Sequence, residues 1–235
     1  VSTLVVIAKE CLPGRVKTRL HPPLTLEQAA DLAAASLSST LEAALAVPAT
    51  RRILYFDGNR PPVGSEEFDV IPQTTGGLDE RIAAIFDLCE GPTMLIGMDT
   101  PQVTAAHLAP FFADVDVDDV GSAAPAAWFG PASDGGFWAL GLSHPSGDLV
   151  RGVPMSRDDT GAMQRARLES AGLAVRDLPM LTDVDTIATA REVARTIPGS
   201  RFAALLAAFA PPGAEDARDG AARNGNGRHG DGGTA

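Results

Sequence analysis

Cysteine is scarce: Cys11 and Cys89 are the only two in 235 residues, they stand far apart, and they form no CxxC. That usage excludes a disulfide framework and a cysteine zinc site and suits a reducing cytoplasm. The four histidines, His21, His107, His144 and His229, are equally unpaired, none having a partner at metal-ligand spacing. Positive charge is also short, with 19 Lys and Arg against 30 Asp and Glu and a formal net charge of −11. Such a chain is no general nucleic-acid binder, because backbone electrostatics need an excess of cations. Any polyanionic ligand must be held locally.

Long apolar runs are missing too. No stretch approaches the roughly 18 consecutive apolar residues of a membrane span. The opening "VSTLVVIAKE" lacks the basic region and small-residue cleavage site of a signal peptide. There is no "GxxxxGK[ST]" phosphate loop and no repeat of solenoid length. No heptad or apolar patch declares an oligomeric state.

What is present is a core-forming composition, 45% hydrophobic, in one stretch that ends at Pro211 and Pro212. Residues 1–212 therefore read as a single domain. Gly213 to Ala235, with seven of the 24 glycines and no apolar residue larger than Ala, reads as a disordered glycine-rich tail. Within the domain, short β-rich runs alternate with helical patterns, the signature of an α/β fold whose mostly parallel sheet is covered by helices. Strands are expected at 3–9, 51–58, 68–73, 93–99, 127–131, 136–142 and 174–179. Helices are expected at 25–46, where Thr25 and Gln28 form a capping box, and at 78–90, 104–113, 160–171, 186–197 and 200–209.

In open parallel sheets, ligands sit beyond the carboxyl ends of the strands. The loop after the first strand holds "PGRVKTRL", with Arg15, Lys17 and Arg19 at alternate positions. From Cys11 to Leu26, sixteen residues contain no acid. An extended chain would set all three cations on one face, a helical turn only Arg15 and Arg19. With the Pro13-Gly14 turn ahead of them they suit a di- or triphosphate, although a solvated basic patch carries the same signature. Asp99, ending "MLIGMD", is placed to hold Mg²⁺ or Mn²⁺ or simply to cap a turn. Asp134 opens Asp-Gly-Gly, a turn signal as much as a functional one. "LTDVDT" puts Asp183 and Asp185 on one side of an extended segment, with Asp185 or Thr186 also a plausible helix cap. Gly76 and Gly77 open a helix where a phosphate or base could meet backbone N–H groups.

Six stretches in order, "VVIAKECLPGRVKTRL", "TTGGLDERIAAIF", "LIGMDTP", "GPASDGGFWALGL", "PMSRDDT" and "DVDT", resemble the bacterial selenodomain-associated transferases, GT-A-like glycosyltransferases. The likeness runs from about Leu4 to Arg195. The first stretch is also similar to the 2-phospho-L-lactate guanylyltransferases and, more distantly, to the molybdenum-cofactor guanylyltransferases. The resemblance implies a Rossmann-like GT-A fold that binds a nucleotide through its N-terminal half and an acceptor through its C-terminal half. Carried across, Gly14, Arg15, Lys17 and Arg19 form the phosphate loop with Lys9 near its base, and Gly76, Gly77 and Arg81 contact the nucleotide. Asp99 and Asp185 become ligands of Mg or Mn, and Asp134, Gly135, Gly136, Ser156 and Thr160 face the acceptor. The chain departs from the pattern at Met98, at Phe137-Trp138 and in an extra "GSAAPAA" from Gly121 to Ala127, all of which bear on the acceptor.

The chemistry expected is metal-dependent transfer from a nucleotide donor to a small-molecule acceptor, with Arg15, Lys17 and Arg19 stabilising leaving-group charge. Nucleotidyl transfer from an NTP to a phosphorylated acceptor stands slightly ahead. Glycosyl transfer from a sugar nucleotide, with Asp134 as base, is the alternative. A nucleotide-binding domain without turnover is the third reading.

Overall fold

Continuous apolar runs make the central strands, because a strand covered on both faces has no side on which to place polar residues. In the computed structural model, which describes residues 2–115 and 125–211, β1 (Thr3–Lys9), β2 (Arg51–Asp57) and β4 (Thr93–Gly97) carry those runs. With β3 (Asp69–Pro72), β5 (Ala126–Pro131), β6 (Phe137–Leu142) and β7 (Ala174–Asp177) they form one seven-stranded sheet, ordered β3-β2-β1-β4-β6-β5-β7. Neighbours are parallel except where β6 lies antiparallel between β4 and β5. The mostly parallel α/β sheet expected from the sequence is therefore present. The glycine-rich tail and most of the extra segment before β5 fall outside the described residues.

Helices α1 (Leu26–Leu45) and α3 (Ala105–Val115) cover one face, where Leu37, Leu41, Phe111 and Trp128 share a core with Leu4, Val6, Leu54 and Ile96. Helices α2 (Leu78–Leu88) and α4 (Thr160–Ser170) cover the other, through Ile82, Ile85, Phe86 and Leu168. The alternation of burial along β1 follows from the period of two: Val5 joins one core and Leu4 and Val6 the other. The capping box at Thr25 and Gln28 forms as the sequence indicated. Helices α5 (Ile187–Thr196) and α6 (Arg201–Phe209) pack on α1 around Phe202 and Val193.

The inverted β6 matters for function. β5 runs parallel to β4, so its carboxyl end and the turn into β6 lie at the same edge of the sheet as the ends of β1 and β4. After β7 the chain crosses that edge, held by Leu178 N–H to Phe129 O at 2.8 Å, Leu181 N–H to Pro131 O at 3.1 Å and Val184 N–H to Asp99 O at 2.9 Å. Gln102 Nε2 adds a 2.7 Å bond to Thr182 O, and Trp138, buried, donates from Nε1 to Pro179 O at 3.0 Å. This strap carries "DVDT" from the far half of the chain to the tip of β4.

Leu41, 1% exposed, sits where α1 meets the sheet. Leu41→Ala is expected to lower unfolding free energy by about 2–5 kcal/mol, because the cavity cannot fully collapse; urea titration followed by circular dichroism checks it.

Candidate active site

Beyond the carboxyl ends of β1 and β4 opens a cleft of about 840 Å³. Its lining brings together Lys9, Arg15, Lys17, Arg19, Arg81, Asp99, Asp134, Gly136, Ser156, Thr160 and Asp185, all drawn from the sequence. Gly14, Gly76, Gly77 and Gly135 are not on the wall. They shape it: Gly14 turns the loop at φ 75°, and Gly77 caps α2 after Gly76 at φ 113°.

The three loop cations adopt neither arrangement that alternate spacing allowed. Lys17 takes a left-handed backbone, φ 47° and ψ 38°, at the head of a short 3₁₀ turn, Thr18–Leu20. This reverses its side chain inward. Its ammonium lies 2.9 Å from Asp99 Oδ1 and 3.1 Å from Asp185 Oδ1, with the side chain 7% exposed. Arg19 remains outside, 76% exposed, and donates from Nη1 to Asp185 Oδ2 at 2.8 Å. Burial acts to lower the Lys17 pKa, but the two carboxylates outweigh it and hold it above its ordinary value. Lys9 and Arg15, both exposed on the cleft, have no carboxylate partner among the described residues.

Two residues gain importance that spacing did not give them. Asp183 lines the cleft and makes no side-chain hydrogen bond among the described residues. Burial, then the nearby charges of Asp99 and Asp134, push its carboxyl up to about 7. Met98 accepts the Lys9 N–H on its sulfur at 3.4 Å, while its carbonyl accepts from Ser36 Oγ at 2.7 Å. It ties β1, β4 and α1 together beneath the site.

The far wall is a locked pair of loops. Asp134 Oδ1 accepts from Gly136 N–H at 2.9 Å, closing the β5–β6 turn. Gly135, at φ 89°, lies so close to the 154–160 loop that an added Cβ would stand 1.9 Å from Asp158 O. Gly161 N–H bonds Gly135 O at 2.8 Å. Thr160, buried, donates to Pro154 O at 2.9 Å and accepts from Arg157 N–H at 3.1 Å, so its hydroxyl pins the loop. Ser156 stands beside it in a left-handed backbone, φ 60°. Arg157 is held by both oxygens of Asp159, at 2.8 and 2.9 Å.

The family described as "Uncharacterized protein conserved in bacteria (DUF2064)" matches residues 31–157, from within α1 to the loop carrying Ser156. The chain belongs to this family. No curated protein matches it. Among solved structures, this DUF2064 protein is similar to one from Desulfovibrio desulfuricans G20, described as a candidate nucleotide-diphospho-sugar transferase. The two share 22% identity over 95% of this chain and 97% of that one, with a TM-score of 0.72. It is also similar to CMP:2-keto-3-deoxy-manno-octonic acid synthetase complexed with CTP, at 12% identity, 84% of this chain, 98% of that one and a TM-score of 0.50. At these identities the likeness establishes the fold, the GT-A-like architecture that the six stretches implied.

Because the folded Asp183 binds its proton more tightly than an unfolded Asp, its contribution to stability is greatest below pH 4 and is lost as pH rises through 7. Asp183→Asn is therefore expected to raise the melting temperature of the metal-free protein at pH 8 by about 2–6 °C, with the gain shrinking by pH 5. Scanning calorimetry at the two pH values reads it.

Proposed function

We propose that this DUF2064 protein is a transferase that uses a nucleotide-activated donor, with the phosphates held at the end of β1 and the acceptor against the 132–136 turn and the 154–160 loop. The observation that carries the reading is the uncompensated charge of Lys9 and Arg15: two cations face the cleft without a counter-ion among the described residues, in a chain of net charge −11. Such cations wait for an anion. Arg81 lies further along the same wall with Ile7, Leu78 and Ile82, an apolar stretch suited to a base. Its guanidinium is steadied by Gln73 Oε1 at 2.9 Å, and Gln73 is itself fixed by Nε2 bonds to Ala8 O and Tyr55 O at 2.8 and 2.9 Å.

A divalent cation fits the Asp99–Asp185 pair, since those oxygens already converge on a positive charge and are the hard donors that Mg²⁺ and Mn²⁺ take. Among the described residues no three acidic, histidine or cysteine side chains gather as a complete cage. Phosphate oxygens and water would fill the rest of the shell, as is usual for Mg²⁺. When bound, the ion neutralises charge on the donor phosphates. Arg15 and Arg19 meet the same developing charge from the protein side.

The acceptor end supports one of the transfers left open by the sequence over the other. Nucleotidyl transfer to a phosphorylated acceptor needs cations there, but the wall presents Asp134, Asp158 and Asp183, and Arg157 is committed to Asp159. A hydroxyl acceptor suits that wall better. This favours glycosyl transfer: a carboxylate takes the hydroxyl proton, the oxygen attacks the anomeric carbon, and the bond from that carbon to the nucleoside diphosphate breaks. Asp183, without a hydrogen-bond partner among the described residues, joins Asp134 as the base.

The test incubates the protein with each NTP and each common sugar nucleotide, with Mg²⁺ or Mn²⁺ and polyol or sugar-phosphate acceptors. Nucleoside diphosphate release from a sugar nucleotide, falling about 10²-fold or more in Asp99→Asn, is expected. Pyrophosphate release from an NTP would restore nucleotidyl transfer. No turnover, and no donor that raises the melting temperature, would overturn the transferase reading.

A further inference from the structure

The carboxylate pair assigned to a divalent cation already holds cations of the protein's own. Of the four oxygens on Asp99 and Asp185, three are engaged: Lys17 takes Asp99 Oδ1 and Asp185 Oδ1, and Arg19 takes Asp185 Oδ2. Asp185 thus has no oxygen without a cationic partner. An ion bound by both carboxylates competes with these cations for Asp185, and its own charge repels them.

The two cations are not equally easy to move. Arg19 is 76% exposed, so its surface pair is worth little and water replaces it readily. Lys17 is 7% exposed and reaches the pair from a left-handed backbone that a non-glycine residue adopts at a cost. Driving its ammonium away without offering another partner leaves a buried charge unpaired, which is far more costly. A polyphosphate in the same cleft changes that balance, because its oxygens give the ammonium a new partner as the metal arrives.

We infer that Lys17 is the stand-in cation of the Asp99–Asp185 pair and makes divalent-metal binding conditional on a phosphate ligand that draws the ammonium away. The inference rests on the metal assignment of the proposed function. It gives the site an order: metal alone binds poorly, and metal with polyphosphate binds cooperatively. A cleft without its nucleotide then does not collect loose metal.

The probe is Mn²⁺ alone, titrated into the full chain and followed by the loss of the free-ion electron paramagnetic resonance signal. Removing the ammonium in Lys17→Met or Lys17→Gln is expected to tighten Mn²⁺ binding about tenfold or more over wild type. The same loss of charge in Arg15→Met, which touches neither carboxylate, is expected to change it less than about threefold. Asp99→Asn combined with Lys17→Gln should abolish the gain. Mn²⁺ should also raise the melting temperature of the Lys17 variants more than that of wild type, a readout that survives if the variants are less stable. Equal affinity in wild type and the Lys17 variants, or an equal gain in Arg15→Met, overturns the role of Lys17 and leaves the metal assignment standing. If neither wild type nor any variant binds Mn²⁺, the metal assignment falls and this inference with it.

Discussion

An ammonium clasped by two carboxylates joins the parts of this molecule that sequence separates most widely. Lys17 comes from the loop after β1, Asp99 from the tip of β4, and Asp185 from the strap that precedes α5. Remove that charge and two acids face each other across the cleft with Asp183 and Asp134 close by, a repulsion the fold would have to absorb. With it in place, the cationic loop after β1 and the acidic strap from the far half of the chain meet at one point. The polarity of the cleft follows: Lys9, Arg15 and Arg81 on one side, Asp134 and Asp158 on the other.

That arrangement depends on the sheet. β6 runs against its neighbours, so the β5–β6 turn returns to the edge where β1 and β4 end, and the strap after β7 can cross it. Trp138 holds the strap in place. Its indole anchors the strap through Pro179 O, holding Asp183 and Asp185 over the tip of β4. Gly135 does the corresponding work on the far wall of the cleft, since only a residue without Cβ lets the turn approach Asp158.

Much of this was legible in the sequence, for local reasons. Apolar runs announced β1, β2 and β4, and the Thr25 capping box and leucine spacing announced α1, because each depends on neighbours within a few positions. Lys9, Arg15, Lys17, Arg19, Asp99, Asp134 and Asp185 do share one cleft. The inward turn of Lys17 was not legible, because no Gly or Asn marks its left-handed backbone and its partner Asp185 lies 168 residues away. Asp183 was seen only as a neighbour of Asp185; its burial comes from the strap crossing the sheet edge, a long-range event without local signature. Gly76 and Gly77, which the sequence offered as nucleotide contacts or as a plain loop, shape the start of α2 beside the cleft.

The most direct test uses a feature of the composition: Lys9 and Lys17 are the only lysines in the chain. Labelling lysine side-chain nitrogen with ¹⁵N therefore gives two ammonium signals by NMR, one from an exposed residue and one from a buried pair. The account predicts that in the free protein the Lys17 signal is protected from exchange, is lost from that state in Asp99→Asn, and shifts when a nucleotide is added with Mg²⁺. Two lysines exchanging alike as free surface groups, unchanged by Asp99→Asn and by every nucleotide, would contradict it.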